Sequence, residues 1–466
     1  MSIDTSFEPL LTQAHAHAVD WLRGLPDRHV GALASREELL AALAGPMPIA
    51  GEEGRAVLDR IAAQAPRGAV ACGAPRYFGF VVGGSFPVAL AADWLVSTWD
   101  QNAGIHVLSP LTAALEEIAA GWLLDLFDLP RDSGVGFVTG CQMANLTCLA
   151  AARHGVLRRV GFDVERDGLA GAPRVHVVAS AESHVTVDVA LRYLGFGTAC
   201  VKRVASDEQG RMRADDLPRV LATCDGPTIV CAQAGNVNTG AFDPLHAIGP
   251  LANAHGAWLH VDGAFGLWAR ASEQLAPLAV GMELADSWAT DAHKWLNVPY
   301  DCGVAIVRHA QDHRDAMTSK APYLVQTGGA ERDCMDWVPE FSRRGRGVPV
   351  YATLRALGRD GVAALVDRCC AHARRFAGRL RAEPGVEVLT DVVLNQVLVR
   401  FADDDATTRE VITAVQRDGT CWLGGTTWHD LAAMRISVSN WATSEADVDA
   451  SVEAIVRCFR ATRPSL

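Results

Sequence analysis

The sequence predicts an α/β fold, with a mainly parallel sheet in a large domain and a second, smaller α/β domain at the C-terminus. Short apolar segments at residues 175–179, 228–232 and 258–262 have the length of buried strands, and stretches long enough for helices separate them. Such alternation is typical of a parallel sheet with its loops at the carboxyl ends of the strands. The 466 residues exceed what one core usually serves, so we expect two or more domains.

The N-terminal region predicts helices and contains no residue pattern that indicates chemistry. Between Phe7 and Leu25 apolar residues recur at helical spacing. A second helix is expected from Arg36 to Ala44, where Gly45 and Pro46 would end it.

A strand and a small-residue turn follow at residues 134–145. The strand leads into Thr139, Gly140, Cys141 and Gln142, and a helix is expected after them. Backbone N–H groups at the start of a helix bind phosphate well. Small-residue turns are common, so an ordinary strand–helix connection is the better interpretation of the pattern alone.

The last third of the chain predicts the smaller domain. Strands are expected at residues 396–401 and 434–439, with a helix at 408–417 between them and a last helix from Ser444. The polar segment 311–346 that precedes this domain is long for a loop, which is typical of a functional lid.

Composition excludes several classes of protein. The net charge is −12 without a basic cluster, which argues against a nucleic-acid partner. Charged residues interrupt the longest apolar stretches, so no membrane span is expected, and no basic n-region of a signal peptide is present. The twelve cysteines show no CxxC spacing, which favours free thiols in a reducing cytoplasm.

Lys294 is the strongest candidate for a catalytic residue. The chain has only three lysines, and arginine, which supplies the remaining basic charge, cannot lose its proton to become a nucleophile. Lys294 lies between His293 and Trp295 among apolar residues, where desolvation is expected to lower its pKa. A lowered pKa suits a lysine that forms an imine. Without these neighbours, a surface lysine in a turn would be the better interpretation.

Asp262 lies at the end of an apolar strand, 32 residues before Lys294 (294 − 262). A strand-end carboxylate followed by a lysine on a later turn is the arrangement that holds pyridoxal phosphate, with the carboxylate on the pyridine nitrogen. An Asp that caps a following helix is the alternative.

The chain resembles the group II pyridoxal-phosphate-dependent amino-acid decarboxylases from about residue 75 to its C-terminus. The most specific match is Asp291–Leu296, which contains Lys294. The other matching segments are Pro75–Gly79, Gly240–Pro244, His260–Ala264 and Ala285–Ser287.

This resemblance implies a fold-type I enzyme with a seven-stranded sheet. The implied division is an N-terminal helical arm (1–74), a large cofactor-binding domain (75–346) and a small C-terminal domain (347–466). The arm would wrap a second subunit, so a homodimer with shared active sites is expected.

The resemblance also assigns roles to individual residues. Lys294 would carry the Schiff base, Asp262 would pair with the ring nitrogen, and His184 would stack on the ring and could carry protons. The turn Thr139–Gln142 would hold the phosphate. The remaining cofactor contacts would be Asn236, Ala264 and His293.

The substrate pocket follows from the resemblance as well. Phe80, Val81 and Gly83 match one wall, and Asn102, Gly104 and His106 match the part that the partner subunit supplies. An apolar, roomy wall favours an L-amino acid with an aromatic or other bulky side chain, which would give an amine and CO2. Ordinary core and turn roles explain the same residues nearly as well.

The chain departs from the family at the lid. A tyrosine that delivers the last proton usually lies three residues before a tryptophan, and the position matched on Trp337 is Cys334. Tyr323 or His184 could substitute for it. Loss of this tyrosine diverts relatives to an aldehyde, so an aldehyde synthase or an aminotransferase is the alternative, followed by a non-catalytic protein that binds the cofactor.

Overall fold

The computed structural model describes residues 6–319, 321 and 331–462. Its N-terminal region consists of three helices that contain no buried residue: α1 (Phe7–Gly24), α2 (Arg36–Leu43) and α3 (Gly54–Gly68). The first two were predicted from the sequence. The third was not, although Glu53 caps it by accepting a hydrogen bond from the Ala56 N–H.

The large domain is built on the predicted seven-stranded, mainly parallel sheet. Its strands are β1 (Gly134–Val138), β2 (His176–Ser180), β3 (Val201–Val204), β4 (Thr228–Gln233), β5 (Trp258–Asp262), β6 (Ser287–Asp291) and β7 (Gly303–Val307), in the order β1-β7-β6-β5-β4-β2-β3. Only β7 runs antiparallel to its neighbours. The connection from β6 to β7 is too short for the crossover that a parallel pair needs.

Helices pack around this sheet. They are α4 (Pro87–Trp99), α5 (Pro110–Phe127), α6 (Cys141–Arg158), α7 (Val164–Asp167), α8 (Val185–Tyr193), α9 (Leu217–Leu221), α10 (Leu245–Ala254), α11 (Ala292–Trp295) and α12 (Ala310–Met317). Helix α6 is buried along most of its length and packs across β5, β6 and β7. The indoles of Trp258 and Trp288 are fully buried in the core.

The C-terminal part contains an antiparallel sheet in the order β10-β11-β9-β8. Its elements are α13 (Gly347–Arg381), β8 (Val386–Val388), β9 (Gln396–Phe401), α14 (Asp405–Asp418), β10 (Gly424–Trp428), β11 (Leu431–Ser437) and α15 (Glu445–Thr462). In sequence, the strands of the first sheet end before residue 347 and those of the second begin after it, and the domain boundary at 347 stays a prediction.

The segment 311–346 is less irregular than predicted. Helix α12 occupies its beginning, and a 3-10 helix covers Cys334–Trp337. Arg343 anchors its end through a bidentate ion pair with Glu116 (2.9 and 3.0 Å), and both side chains are almost fully buried. Residues 322–330, which include Tyr323, lie outside the described part of the chain.

The sequence also predicted that the chain has no membrane span and that its cysteines are free thiols. None of the described helices is long and apolar enough to cross a membrane. All twelve cysteines are free thiols, and all except Cys72 and Cys200 are buried.

Candidate active site

The site lies at one edge of the seven-stranded sheet, where β1, β5 and β6 end. Strand register aligns Val138 and Asp291 with the same residue of β7, Gly303. Glycine is required at 303 because a Cβ there would lie 2.4 Å from the carbonyl carbon of Gly140. This close approach brings the start of α6 against the end of β6.

Lys294 is held by a carboxylate that sequence reasoning did not single out. Its Nζ lies 2.9 Å from Asp291 Oδ2, and the Asp291 side chain is buried. Burial is the largest single influence and alone would lower the pKa of Lys294, as predicted, but Asp291 together with Cys141 and Asp262 outweighs it and raises the pKa well above its usual value. The prediction of a lowered pKa was therefore wrong for this chain, because the ion pair stabilises the ammonium form.

Asp262 accepts hydrogen bonds on both oxygens. The Ala264 N–H and the Cys141 thiol donate to Oδ1, at 3.1 and 3.4 Å, and Asn145 Nδ2 donates to Oδ2 at 3.0 Å. These donors hold a buried carboxylate in one orientation at the end of β5. They also leave room for a further donor, because two carboxylate oxygens offer about four acceptor positions.

His184 precedes α8 and is close enough to Asp262, Lys294 and Arg435 for their charges to affect it. Burial lowers the pKa of His184, and the positive charges of Lys294 and Arg435 add to this effect, which the Asp262 carboxylate opposes without cancelling it. The ring is therefore neutral at physiological pH. Its Nδ1 lies 2.8 Å from Thr186 Oγ1, which fixes the ring plane.

The start of α6 offers hydrogen-bond donors to an anion. The Cys141 N–H donates to Asp291 Oδ1 at 2.6 Å. The N–H groups of Gln142 and Met143 have no partner among the described residues. With the helix dipole, they form an anion site of the kind that binds phosphate. An amine, a carboxylate and a helix start with free N–H groups thus meet at one edge, which is the set of groups that pyridoxal phosphate requires.

Comparisons with known proteins agree with this geometry. Residues 38–402 match the family described as pyridoxal-dependent decarboxylase conserved domain. The chain belongs to the pyridoxal-dependent decarboxylase family. Its cofactor is pyridoxal phosphate, as the sequence predicted.

Two relatives and one solved structure illustrate the range of this family. The acidic amino acid decarboxylase GADL1 of Mus musculus is 30% identical over 68% of this chain and 58% of its own length. The L-2,4-diaminobutyrate decarboxylase of Rhizobium meliloti is 31% identical over 67% and 62%. Both matches span less than two thirds of the relative. The crystal structure of Oryza sativa TDC with PLP and tryptamine has a TM-score of 0.92 and 22% identity, with all of both chains covered, and confirms the fold.

Within this decarboxylase fold, Ala264 and His293, two of the predicted cofactor contacts, lie between Asp262 and Asp291. Ala264 donates to Asp262 and accepts from the Asp291 N–H at 2.9 Å. His293 Nδ1 accepts from the Cys302 N–H, which leaves its Nε2 to face Asp291 Oδ1 at 3.3 Å. Asn236 is fully buried, and its amide bonds the backbone of Glu182, Asn238 and Thr239. These contacts shape its loop, and cofactor contact by Asn236 stays a prediction.

The residues matched to one pocket wall divide into three environments. Phe80 is 61% exposed and packs against Trp422, with ring centroids 5.6 Å apart. Val81 is buried in the core, in agreement with the ordinary role that the sequence left open. Gly83 supports the lysine, because a Cβ at this position would lie 1.9 Å from the Lys294 carbonyl oxygen.

The segment from Asn102 to His106, which matches the part that the partner subunit supplies, packs on the end of the segment 311–346. The Ala103 N–H donates to Arg343 O, the Met335 N–H donates to Gly104 O, and the His106 N–H donates to Asp333 Oδ1, each at 2.8 Å. Asn102 Oδ1 accepts from the Gly104 and Arg343 N–H groups.

Cys334 is buried at the start of its 3-10 helix. Burial and the neighbouring Glu116 carboxylate raise the pKa of its thiol to about 12. A thiol with this pKa stays protonated at neutral pH and is a weak acid.

Sequence reasoning missed three residues of the site. Asp291 lies in the Lys294 segment, three positions before the lysine, so its spacing could have revealed it. Asn145 and Arg435 come from a helix interior and from a strand of the C-terminal sheet, where nothing in the local pattern indicates the site.

Proposed function

We propose that the protein decarboxylates an L-amino acid with an aromatic or other bulky apolar side chain, giving an amine and CO2. The observation that carries the proposal is the meeting of Lys294, Asp262, His184 and the start of α6 at one sheet edge. Family membership supports the same reaction class.

Pyridoxal phosphate, when bound, supplies an electron sink for the bond that breaks. Lys294 would hold the cofactor covalently, and the free N–H groups of Gln142 and Met143 would bind its phosphate. Asp262 would keep the ring nitrogen protonated, and His184 would lie against the ring. Because the protein fixes the ring, the orientation of the substrate selects the bond that breaks.

Arg435 is the cation that we assign to the substrate's α-carboxylate. It is half-buried near His184, and its side chain pairs with no carboxylate among the described residues. A guanidinium presents a planar pair of donors that matches a carboxylate. Holding this group would place the bond to be broken relative to the ring.

Aromatic surfaces near Lys294 support the choice of substrate. Phe80 and Tyr300 are both largely exposed. Tyr300 stacks on His293 with ring centroids 4.2 Å apart, and Phe80 lies in the segment that supports the Lys294 backbone. Arg435 would be engaged by the α-carboxylate that every substrate carries, so an acidic side chain would need a second cation. An aromatic or bulky apolar side chain needs none.

A screen of amino acids for CO2 release tests this proposal. We expect turnover to be highest with an aromatic or bulky apolar amino acid. Arg435→Met should lower kcat/KM for that substrate about 10–100-fold, the scale of one charged hydrogen bond, and Arg435→Lys should retain part of the activity. A preference for glutamate or aspartate would contradict the substrate class, and an unchanged kcat/KM in Arg435→Met would remove Arg435 from the site.

Aldehyde formation is the second candidate outcome, and the observation in its favour is Cys334. A buried thiol with a raised pKa is a poor proton donor, so we expect O2 to oxidise part of the turnover, which gives aldehyde, ammonia and hydrogen peroxide beside the amine. Cys334→Tyr should raise the amine-to-aldehyde ratio, measured by chromatography of the products, and Cys334→Ser serves as the matched control for loss of the thiol. If the wild type forms only amine and Tyr323→Phe abolishes it, Tyr323 is the donor.

We further propose a homodimer with active sites shared between the subunits. The helices α1, α2 and α3 expose apolar side chains and bury none within the chain, as an arm that packs on a second subunit would. The free cysteines support a reducing compartment, and we propose the cytoplasm.

A further inference from the structure

A continuous chain of hydrogen bonds lies behind Asp262 and is completely buried. Trp258 Nε1 donates to Ser287 Oγ at 2.9 Å, and Ser287 Oγ lies 3.0 Å from His260 Nδ1. His260 Nε2 lies 2.9 Å from Asn145 Oδ1, and Asn145 Nδ2 lies 3.0 Å from Asp262 Oδ2. Every polar side-chain atom in this series of hydrogen bonds has a partner.

The direction of each hydrogen bond follows from the Asp262 end. A carboxylate only accepts, so Asn145 must present its NH2 group to Asp262 and its oxygen to His260. Burial lowers the pKa of His260 to about 4, so the ring is neutral and carries its single proton on Nε2. Its Nδ1 then accepts from the Ser287 hydroxyl.

The Trp258 end of the hydrogen-bond series requires the same direction for each bond. An indole nitrogen only donates, so Ser287 Oγ accepts from Trp258 and turns its own proton to His260. No two donors and no two acceptors face each other anywhere between Trp258 and Asp262.

A branch from the same amide leads to His184. The second N–H of Asn145 donates to Thr186 Oγ1 at 3.2 Å, and the Thr186 hydroxyl lies 2.8 Å from His184 Nδ1. The Thr186 backbone N–H, which can only donate, also points to this Nδ1 at 3.4 Å. His184 Nδ1 is therefore an acceptor, and the proton of the neutral ring lies on Nε2.

We propose that Asn145 is a positioning residue which joins Asp262 and His184 through one amide and holds His184, by way of Thr186, in its Nε2–H tautomer. The role assigned to the two joined residues rests on the proposed function, whereas the hydrogen-bond chain itself does not. His184 in this state donates a hydrogen bond from Nε2. It does not deliver a proton to the substrate, since doing so would leave an imidazolate.

Nitrogen NMR of the cofactor-free protein, labelled with 15N-histidine, tests this proposal. Ring-nitrogen shifts report the tautomer of each histidine, and His184→Gln and His260→Gln assign the two signals among the fifteen histidines. We expect the Nε2–H tautomer for both rings. Thr186→Val should shift only the His184 signals, because Nδ1 loses the hydroxyl at 2.8 Å and keeps only the backbone N–H at 3.4 Å, and Thr186→Ser, which keeps the hydroxyl, should restore them.

Asn145→Ala tests the coupling itself. The His184 and His260 signals should both shift, because both rings lose the shared amide. A shift of the His260 signals alone would overturn the link to His184, and an Nδ1–H tautomer of His184 in the wild type would overturn the whole assignment. If Asn145→Ala does not fold, the variants Thr186→Val and Thr186→Ser still test the proposal. Unchanged His184 signals in Thr186→Val would contradict the branch to His184. The experiment uses no substrate, so its outcome is independent of whether the protein is a decarboxylase.

Discussion

Replacing Lys294 with alanine should abolish covalent attachment of the cofactor and lower turnover by more than about 10⁴-fold, the scale of losing a covalent catalytic group. Borohydride reduction followed by peptide mapping of the wild type should place the label on Lys294. Lys202 is partly exposed, and its amine is bonded to Thr223. A label on Lys202 or Lys320 would contradict the assignment.

Asp291→Asn is the matched control, because it keeps the amine and removes the charge that raises its pKa. Attachment requires the neutral amine, and a raised pKa keeps Lys294 protonated at neutral pH. The attachment rate of the wild type should therefore increase as pH rises. Asp291→Asn should move this increase to lower pH, because burial then lowers the pKa against the weaker opposition of Asp262. Identical rate–pH curves would show that Asp291 does not control the amine.

The Lys294→Ala chain also tests the shared active site. Mixed with a chain altered only at His106, it should recover part of the activity, because a mixed dimer has one intact site. The His106 side chain is partly exposed and contacts Glu331 within its own chain, so it is accessible to a partner. No recovery, with subunit exchange shown by mass spectrometry, would contradict shared sites.

The parts of the site that the sequence predicted are those determined by local pattern. Lys294 and Asp262 each lie beside an apolar strand, and the mainly parallel sheet follows from the alternation of strands with helices. The sign of the Lys294 pKa shift could not be predicted in this way. It depends on whether burial or the surrounding negative groups dominate, and the largest of their contributions comes from Asp291, 2.9 Å from the amine.

Arg435 was missed for a different reason. Arg435 reaches the site because the C-terminal sheet docks on the large domain, and docking leaves no periodic signal in the sequence. Asn297 shows how this docking is fixed, since its amide donates to the carbonyls of Lys294 and Ser439 and accepts from the Trp441 N–H. One buried amide thus joins the lysine turn to the second domain.

Asp262→Ala should lower kcat for CO2 release about 10²–10³-fold while leaving the label on Lys294. The carboxylate would stabilise the protonated ring nitrogen in a buried site, and removing one partner of such a pair costs about 3–5 kcal/mol. Asp262→Asn separates charge from shape, because it fills the same space without the negative charge. If the charge is what matters, both variants should lose activity to a similar extent.

The same pair of variants separates catalysis from folding. Asp262→Ala leaves the Asn145 amide without its acceptor, at a cost of about 1–3 kcal/mol in stability, so thermal unfolding must be measured beside kcat. A variant that stays folded at the assay temperature and keeps its cofactor, yet turns over 10²-fold more slowly, places Asp262 in the chemistry. An Asp262→Asn variant with wild-type turnover would instead show that the residue serves only to hold β5 and the Asn145 amide in place.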